Sequence, residues 1–276
     1  MKLTYLGTSA AEATPAPFCD CEICENARRE GGKNIRTRSQ SIIDEKILID
    51  FPPDTLMHTL SEGLRLSAID ACIITHTHHD HFEPADFFFR TQVAAHMAKE
   101  KPLHFFCRED GIKIMNEGVS SKKCIDQGGL IIHEITPFVP FTVGEYRITP
   151  LNANHCPFAV IYVIEKGDKA ILYANDTGLF PEDTIEFLAK SGMKFDLVSY
   201  DCTYGTWHRG NLGHLDLPED IITRDMLCEM GVLKKNCKHV ITHISHNNGG
   251  HTHDSLSDVA AGEGFILAYD GFTIEV

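Results

Sequence analysis

The 276-residue chain contains no apolar run that approaches the roughly 20 residues of a membrane-spanning helix. Residues 1–7 form a short strand-like pattern and lack the apolar core of a signal peptide. We therefore predict a cytoplasmic protein. No low-complexity segment or linker divides the chain, and its 43% of hydrophobic residues is enough for one large core. The sequence predicts a single domain over residues 1–276.

Basic residues are scarce. The 25 Lys and Arg are outnumbered by 39 Asp and Glu, which gives a formal charge of −14. This balance argues against a surface that coats nucleic acid. It leaves room for an anionic substrate at a metal centre, because metal ions act at contact distance. The 10 cysteines of a cytoplasmic chain indicate reduced thiols or metal ligands rather than disulfides.

Short strand-like runs recur along the whole chain and predict mixed β-sheets with helices on the outside. The helical patterns lie at 55–62, 84–99, 181–191 and 217–230. A turn at 165–168 makes part of one sheet antiparallel. The run Ile-Ile-Thr-His at 73–76 has an echo, Val-Ile-Thr-His, at 240–243. We interpret the echo as two half-domains that each deliver a histidine to one site, with coincidence as the alternative.

The most informative segment is Thr-His-Thr-His-His-Asp-His at residues 75–81, directly after a buried strand pattern. Four imidazoles and a carboxylate within seven residues suit zinc, iron or manganese. On an extended backbone His76 and His78 point the same way, whereas Asp80 and His81 would face a neighbouring position. A polar loop with surplus histidines is the alternative. The pattern favours two adjacent metal sites.

A metal site built from one loop would be open on its far side. His155, Asp176 and His243 each follow a strand pattern and are candidates to complete it. Together with the 75–81 motif, this set resembles the ligands of the metallo-β-lactamase superfamily of binuclear hydrolases. The resemblance implies an α/β fold, a four-layer αββα sandwich of two mixed sheets with the metals at the edge between them.

The resemblance also implies how seven ligands are shared between two ions. His76, His78 and His155 would hold one ion, Asp80, His81 and His243 the other, and Asp176 would bridge both opposite a hydroxide. Asp50 resembles the family's acid that orients a ligand histidine. The chain departs from the family after Asp50, where residues 51–53 replace the usual small residue and glycine. His79 is interpreted as a non-ligand.

Cys19, Cys21 and Cys24 form a C-x-C-x-x-C pattern just before a helical stretch. Three thiolates so close together can hold one tetrahedral zinc if a fourth ligand arrives, and His246 is the best candidate. An iron–sulfur cluster would normally need four thiolates, and reduced surface cysteines are the other alternative. We predict a structural zinc, because four protein ligands leave no open position.

The Leu-Gly-Thr at 6–8, the cysteine pattern and Ile-Thr-His-Ile-Ser-His at 241–246 are together similar to one branch of the superfamily, the phosphoribosyl 1,2-cyclic phosphate phosphodiesterases. This resemblance implies hydrolysis of a small cyclic phosphate, with zinc or manganese in the active site. His214 resembles the branch's general acid, and Asp80 is a second catalytic candidate. Asp216 either orients His214 or caps the next helix, and we favour the cap.

Several alternatives stay open. The 203–213 segment carries Trp207, His208 and Arg209 and fits either a clamp on a substrate phosphate or sugar, or an ordinary loop. His251 and His253 are interpreted as plain loop residues. Two other enzyme functions remain possible on the same fold. One is a transfer-RNA 3′-end endonuclease, although the sequence shows no Lys/Arg-rich insertion that could grip RNA, and the other is a thioester, lactone or β-lactam hydrolase. The last alternative is a non-catalytic zinc-binding protein.

The expected partner is therefore a small anionic phosphodiester, with no nucleic acid and no membrane. A homodimer is compatible with the sequence.

Overall fold

The computed structural model describes residues 1–96, 101–210 and 213–276. The strands in these residues are β1 (Lys2–Gly7), β2 (Gln40–Ile43), β3 (Ile47–Ile49), β4 (Ala71–Ile73), β5 (Leu103–Cys107), β6 (Leu130–Glu134), β7 (Phe141–Val143), β8 (Tyr146–Asn152), β9 (Val160–Lys166), β10 (Lys169–Ala174), β11 (Phe195–Asp201), β12 (Leu233–Thr242), β13 (Ile266–Leu267) and β14 (Phe272–Glu275). The α-helices are α1 (Glu22–Glu30), α2 (Thr55–Ser61), α3 (Glu109–Glu117), α4 (Val119–Asp126), α5 (Glu182–Ser191), α6 (Leu217–Glu229) and α7 (His253–Gly262).

The strands of the described residues form two seven-stranded sheets. Their orders are β14-β1-β2-β3-β4-β5-β6 and β13-β12-β11-β10-β9-β8-β7. Both sheets are mixed. Strands β3 to β6 run parallel in the first and β10 to β13 in the second, whereas the remaining pairs are antiparallel.

One apolar cluster lies between the sheets and two lie on their outer faces, so that the molecule has four layers. Alternate residues of β4 show why. Ala71 and Ile73 pack between the sheets with Tyr162 of β9, whereas Cys72 packs on the outer side with Met115 of α3. Helices α5, α6 and α7 cover the second sheet through Leu188, Leu227 and Leu256. The αββα sandwich expected from the sequence is confirmed.

Three of the four predicted helices are present as α2, α5 and α6, but the prediction for 84–99 is wrong. A 3-10 helix covers Pro84–Arg90 and is followed by turns, and residues 97–99 lie outside the described part of the chain. Only Phe87 of the three consecutive phenylalanines is buried, stacked on Phe51 with 4.5 Å between ring centroids. The segment therefore lacks the continuous apolar stripe of a long helix. No helix in the described ranges is long and apolar enough to cross a membrane.

His253 is not the plain loop residue expected from the sequence, because it is buried at the first position of α7. Arg36, itself buried, donates a hydrogen bond of 2.9 Å to His253 Nδ1. Burial, and then the positive charges of Arg36 and Lys33, lower the pKa of His253 from 6.5 to about 4 even though Asp254 opposes them. The folded protein therefore holds this ring neutral.

We expect the free energy of unfolding to decrease as the pH falls from about 6.5 to about 4. The unfolded chain takes up a proton on His253 near pH 6.5, whereas the folded chain resists it until about pH 4. The shift corresponds to at most about 3 kcal/mol. Urea unfolding at a series of pH values should show a shallower decrease for His253→Gln, which keeps an acceptor for Arg36 but takes up no proton. An unchanged slope would contradict the assignment.

Candidate active site

Loops that follow strands of both sheets meet at one edge of the sandwich. The 75–81 segment follows β4 of the first sheet, and His243 follows β12 of the second. Each sheet thus delivers one Thr-His pair to the site, as the sequence echo predicts. His155 comes after β8, and Asp176 comes after β10.

At Asp50 and at two of the candidate ligands, Asp176 and His243, the backbone adopts a conformation that residues other than glycine rarely take. The φ angles are 68° at Asp50, 54° at Asp176 and 64° at His243. Residues with positive φ carry strain and persist only where the surrounding structure imposes them. All three polar side chains are buried. The surrounding fold therefore holds these three residues in a strained backbone conformation that directs their side chains towards one site.

The structure brings His76, His78 and His155 together. His78 Nδ1 lies 3.0 Å from His76 Nε2 and 3.1 Å from His155 Nε2. Ligands that share one zinc ion at about 2.1 Å lie roughly 3.0 to 3.4 Å from each other. Both separations therefore match those between two ligands of one metal. The Cys156 thiol lies within 4.8 Å of the same atoms, a proximity that sequence reasoning did not use although the residue is adjacent to His155.

A second group contains Asp80, His81 and His243. His81 Nε2 lies 3.4 Å from Asp80 Oδ2 and 3.0 Å from Asp176 Oδ2. The other oxygen of Asp176, Oδ1, lies 3.2 Å from His243 Nε2. Asp176 also belongs to a group of potential ligands that includes His76. Its carboxylate therefore lies between the two groups, as the family resemblance implies.

Three buried atoms at the centre, His81 Nε2, His243 Nε2 and Asp176 Oδ2, lie close to opposite charge but make no well-aligned hydrogen bond within the described residues. An unsatisfied buried polar group costs about 1 to 3 kcal/mol, so three that converge need an explanation. Metal ions supply one, since imidazole nitrogen and carboxylate oxygen are common metal ligands. The residues present therefore fit a pair of divalent ions.

The carboxylates of the site are charged. Burial alone would raise the pKa of Asp176, but His243 and His81 outweigh it and hold the pKa well below its usual range. The pKa of Asp80 is lowered in the same way, because contact with His81 outweighs burial. His79, in contrast, has a side chain that is 69% exposed, consistent with its interpretation as a non-ligand.

Asp50 occupies the place that the resemblance implies. Its Oδ2 lies 2.8 Å from His81 Nδ1, and its Oδ1 accepts a 2.7 Å hydrogen bond from the Thr75 amide. With Nδ1 held in this way, His81 presents Nε2 to the centre. The unusual residues 51–53 do not displace the carboxylate.

Sequence reasoning missed Asp201, which ends β11 and is fully buried. Its Oδ2 lies 2.8 Å from His214 Nδ1, and its Oδ1 accepts hydrogen bonds from the amides of Thr203 and Leu215. Burial lowers the pKa of His214, but Asp201 outweighs it and raises the pKa to about 9. The Asp201 carboxylate therefore favours the protonated form of His214, the form that a general acid needs. The sequence feature that could have identified Asp201 is its position as a carboxylate at the end of a buried strand pattern.

Asp216 does not orient His214. It is the N-cap of α6 and forms a reciprocal capping box with Glu219, which confirms the favoured interpretation. His214 instead stands beside the proposed metal ligands, with ring centroids 4.6 Å from His155 and 5.4 Å from His243. Its Nδ1 is held by Asp201, so Nε2 is the nitrogen left to act on a substrate.

The structure also brings Cys19, Cys21, Cys24 and His246 into one group, with ligand atoms within 4.8 Å of one another. His246 Nδ1 lies 3.4 Å from Cys21 Sγ and 3.6 Å from Cys19 Sγ. Burial would raise the pKa of Cys21, but hydrogen bonds from the Cys24 amide and His246 outweigh it and lower the pKa to about 6. A thiolate is the form that binds zinc. These four residues fit the structural zinc expected from the sequence.

The two proposed metal sites open into a cavity of about 300 Å³. The residues that line it include His78, Asp80, His155, Asp176, His214 and His243. The volume is at the lower end of the roughly 300 to 1,000 Å³ that small-molecule sites occupy. The cavity suits a compact substrate.

Comparison with known proteins agrees with this geometry. A family model described as a beta-lactamase superfamily domain matches residues 45–244. No curated protein sequence matches the chain.

Among solved structures, zinc-bound PqqB from Methylobacterium extorquens has a TM-score of 0.78 and 18% identity over the whole of both chains. A diphosphatase from the PhnP family has a TM-score of 0.74 and 22% identity, over all of this chain and 96% of the other. The short form of human tRNase Z has a TM-score of 0.66 and 15% identity, over 100% of this chain and 99% of the other. At these identities the likeness establishes a shared fold.

Proposed function

The chain belongs to the β-lactamase superfamily and is a metal-dependent hydrolase, and we propose that it is a phosphodiesterase that opens a small cyclic phosphate of the phosphoribosyl 1,2-cyclic phosphate type. The single observation that carries this proposal is His214. Its Nδ1 lies 2.8 Å from the buried carboxylate of Asp201, and its ring lies beside the proposed metal ligands His155 and His243.

His214 matters because leaving groups differ in their need for a proton. An alkoxide expelled from a sugar phosphate is strongly basic and needs a proton as the bond breaks, whereas a thiolate leaves readily without one. A protonated histidine in the cavity therefore favours an alkoxide leaving group over a thioester. Bound divalent ions supply positive charge that activates water and neutralises the phosphate. The surplus charge suits an anion, because only two of the seven proposed ligands, Asp80 and Asp176, are carboxylates.

The ligand roles of the seven residues are part of the proposal. His76, His78 and His155 would hold one ion, Asp80, His81 and His243 the other, and Asp176 would contact both. Zinc and manganese both accept nitrogen and oxygen ligands.

A substrate panel tests the proposal. Zinc-loaded and manganese-loaded protein would be assayed against phosphoribosyl 1,2-cyclic phosphate, bis(p-nitrophenyl) phosphate, a precursor transfer RNA and a thioester. We expect the highest kcat/KM for the cyclic phosphate. A thioester that turns over faster than every phosphodiester would contradict the proposal, and so would preferential cleavage of the transfer RNA.

We expect Cys21→Ser to lose one zinc per chain and to keep the two ions of the active site. Loss of an ion bound at about a hundred times its Kd would cost about 3 kcal/mol of the free energy of unfolding. Metal analysis and thermal unfolding measure the two effects. Cys228→Ser, at an exposed cysteine outside the group, is the matched control. Unchanged zinc content in Cys21→Ser would show that the cysteines hold no ion.

A further inference from the structure

The 203–210 loop forms one wall of the active-site cavity and carries Arg209 into it. Arg209 lines the cavity together with Tyr204, His214 and the proposed metal ligands. It is the only lysine or arginine among the lining residues, whereas Glu12, Asp80 and Asp176 supply negative charge. One positive side chain, itself exposed, therefore borders the space that a substrate would fill.

Aromatic rings hold the guanidinium in place. The Arg209 guanidinium carbon lies 4.4 Å from the ring centroid of Trp207 and 5.6 Å from that of Tyr204. Such stacking orients the planar group while leaving its N–H donors free at the edges. Within residues 1–96, 101–210 and 213–276, no hydrogen bond or ion pair involves the side chain of Arg209. Its donors are available to a ligand.

The loop that carries Arg209 is itself anchored. The Thr206 amide donates to the Asn248 carbonyl at 3.1 Å, and the Thr206 hydroxyl lies 2.9 Å from His251 Nε2. A Cβ at Gly249 would lie 2.4 Å from Thr206 Oγ1, so only glycine permits this close approach. His208 Nδ1 lies 2.6 Å from Asp216 Oδ2 at the start of α6. These contacts of Thr206 and His208 anchor the 203–210 loop on either side of Trp207.

We propose that Arg209 binds a second anionic group of the substrate, a phosphomonoester that is separate from the phosphodiester to be cleaved. This inference rests on the proposed phosphodiesterase function and assigns the residue that recognises the remote phosphate of its substrate. Two divalent ions carry a surplus of charge over Asp80 and Asp176 and already neutralise a singly charged diester, so a further cation for that group is redundant. The forked donors of arginine match two oxygens of a phosphate.

Kinetics with paired substrates test the proposal. Phosphoribosyl 1,2-cyclic phosphate and ribose 1,2-cyclic phosphate differ only in the remote phosphate. For the first, we expect Arg209→Ala to raise KM by about 10- to 100-fold, since a charge-assisted hydrogen bond contributes about 1.5 to 3 kcal/mol. For the second, KM and kcat should stay within about twofold of the wild-type values. Arg209→Lys should recover only part of the loss, because an ammonium lacks the fork.

Arg147→Ala on β8 is the matched control, because Arg147 is exposed and pairs with Glu165 away from the cavity. It should leave both substrates unaffected. Equal losses on the two substrates in Arg209→Ala would overturn the inference, because Arg209 would then act on the cleaved group. An unchanged KM for both would overturn it as well.

A binding measurement keeps this test separate from turnover. Trp207 is the only tryptophan of the chain, so its fluorescence reports on the wall directly. In metal-loaded wild-type protein, ribose 5-phosphate should produce a saturable change in tryptophan fluorescence, whereas ribose should not. The Kd for ribose 5-phosphate should be at least about 10-fold higher in Arg209→Ala. Equal Kd values in the two proteins would overturn the inference. Absence of phosphodiester turnover would instead refute the proposed function, while the titration would still decide the role of Arg209.

Discussion

Replacement of Asp176 by alanine is expected to lower kcat/KM on the order of 10³-fold or more. This factor corresponds to a loss of about 4 kcal/mol of transition-state stabilisation. The carboxylate lies between both ligand groups, 3.0 Å from His81 Nε2 and 3.2 Å from His243 Nε2. Its removal leaves two buried imidazoles facing each other without the negative charge between them. We expect metal analysis of Asp176→Ala to show loss of at least one active-site ion.

Asp168→Ala is a matched control, because Asp168 is an exposed aspartate in the turn before β10. It should retain wild-type activity and metal content. The zinc proposed at Cys19, Cys21, Cys24 and His246 should survive in both variants, since this group does not include Asp176. Full activity in Asp176→Ala would show that this carboxylate does not hold the catalytic ions.

Replacement of His214 by alanine is expected to reduce kcat by about 10²- to 10⁴-fold, the range typical of general acid catalysis. Both active-site ions should remain bound, because His214 is not among the seven proposed ligands. The loss should be much smaller for bis(p-nitrophenyl) phosphate, whose leaving group is weakly basic and needs little protonation. Steady-state kinetics on both substrates, with metal analysis of the variant, measure these effects.

A substitution at Asp201 tests the general-acid role of His214 without removing the histidine. Asp201→Asn keeps a polar group near His214 Nδ1 but removes the charge that keeps the ring protonated. We expect a loss of activity smaller than that of His214→Ala and, again, dependent on the leaving group. Equal losses on the two substrates would mean that His214 has a structural role, and loss of metal would mean that it was assigned wrongly.

Much of the site was predictable because the sequence concentrates it. The 75–81 motif places four candidate ligands in one turn, and a short local segment keeps its residues together in any fold. His155, Asp176 and His243 were found because each follows a strand pattern, and in sheets of this kind several strand ends meet at one edge. The two-sheet architecture followed from the same alternation of strands and helices.

The remaining features depend on contacts between distant segments. Asp201 looked like the end of an ordinary buried strand, and its role appears only when His214, which lies 13 residues later, folds back against it. The proximity of Arg209 to the cavity depends on how the 203–210 loop packs on Asn248 and His251. The 3-10 helix at Pro84–Arg90 was missed because the sequence does not show that only Phe87 of the three phenylalanines is buried, in contact with the distant Phe51.

The most direct test of a binuclear centre is crystallographic. Crystals of zinc-loaded protein, measured with X-rays at the zinc absorption edge, should show two anomalous peaks beside the carboxylate of Asp176. One should lie among His76, His78 and His155, and the other among Asp80, His81 and His243. A third peak should lie among Cys19, Cys21, Cys24 and His246. A single peak or none at Asp176 in fully loaded protein would contradict the binuclear hydrolase described here.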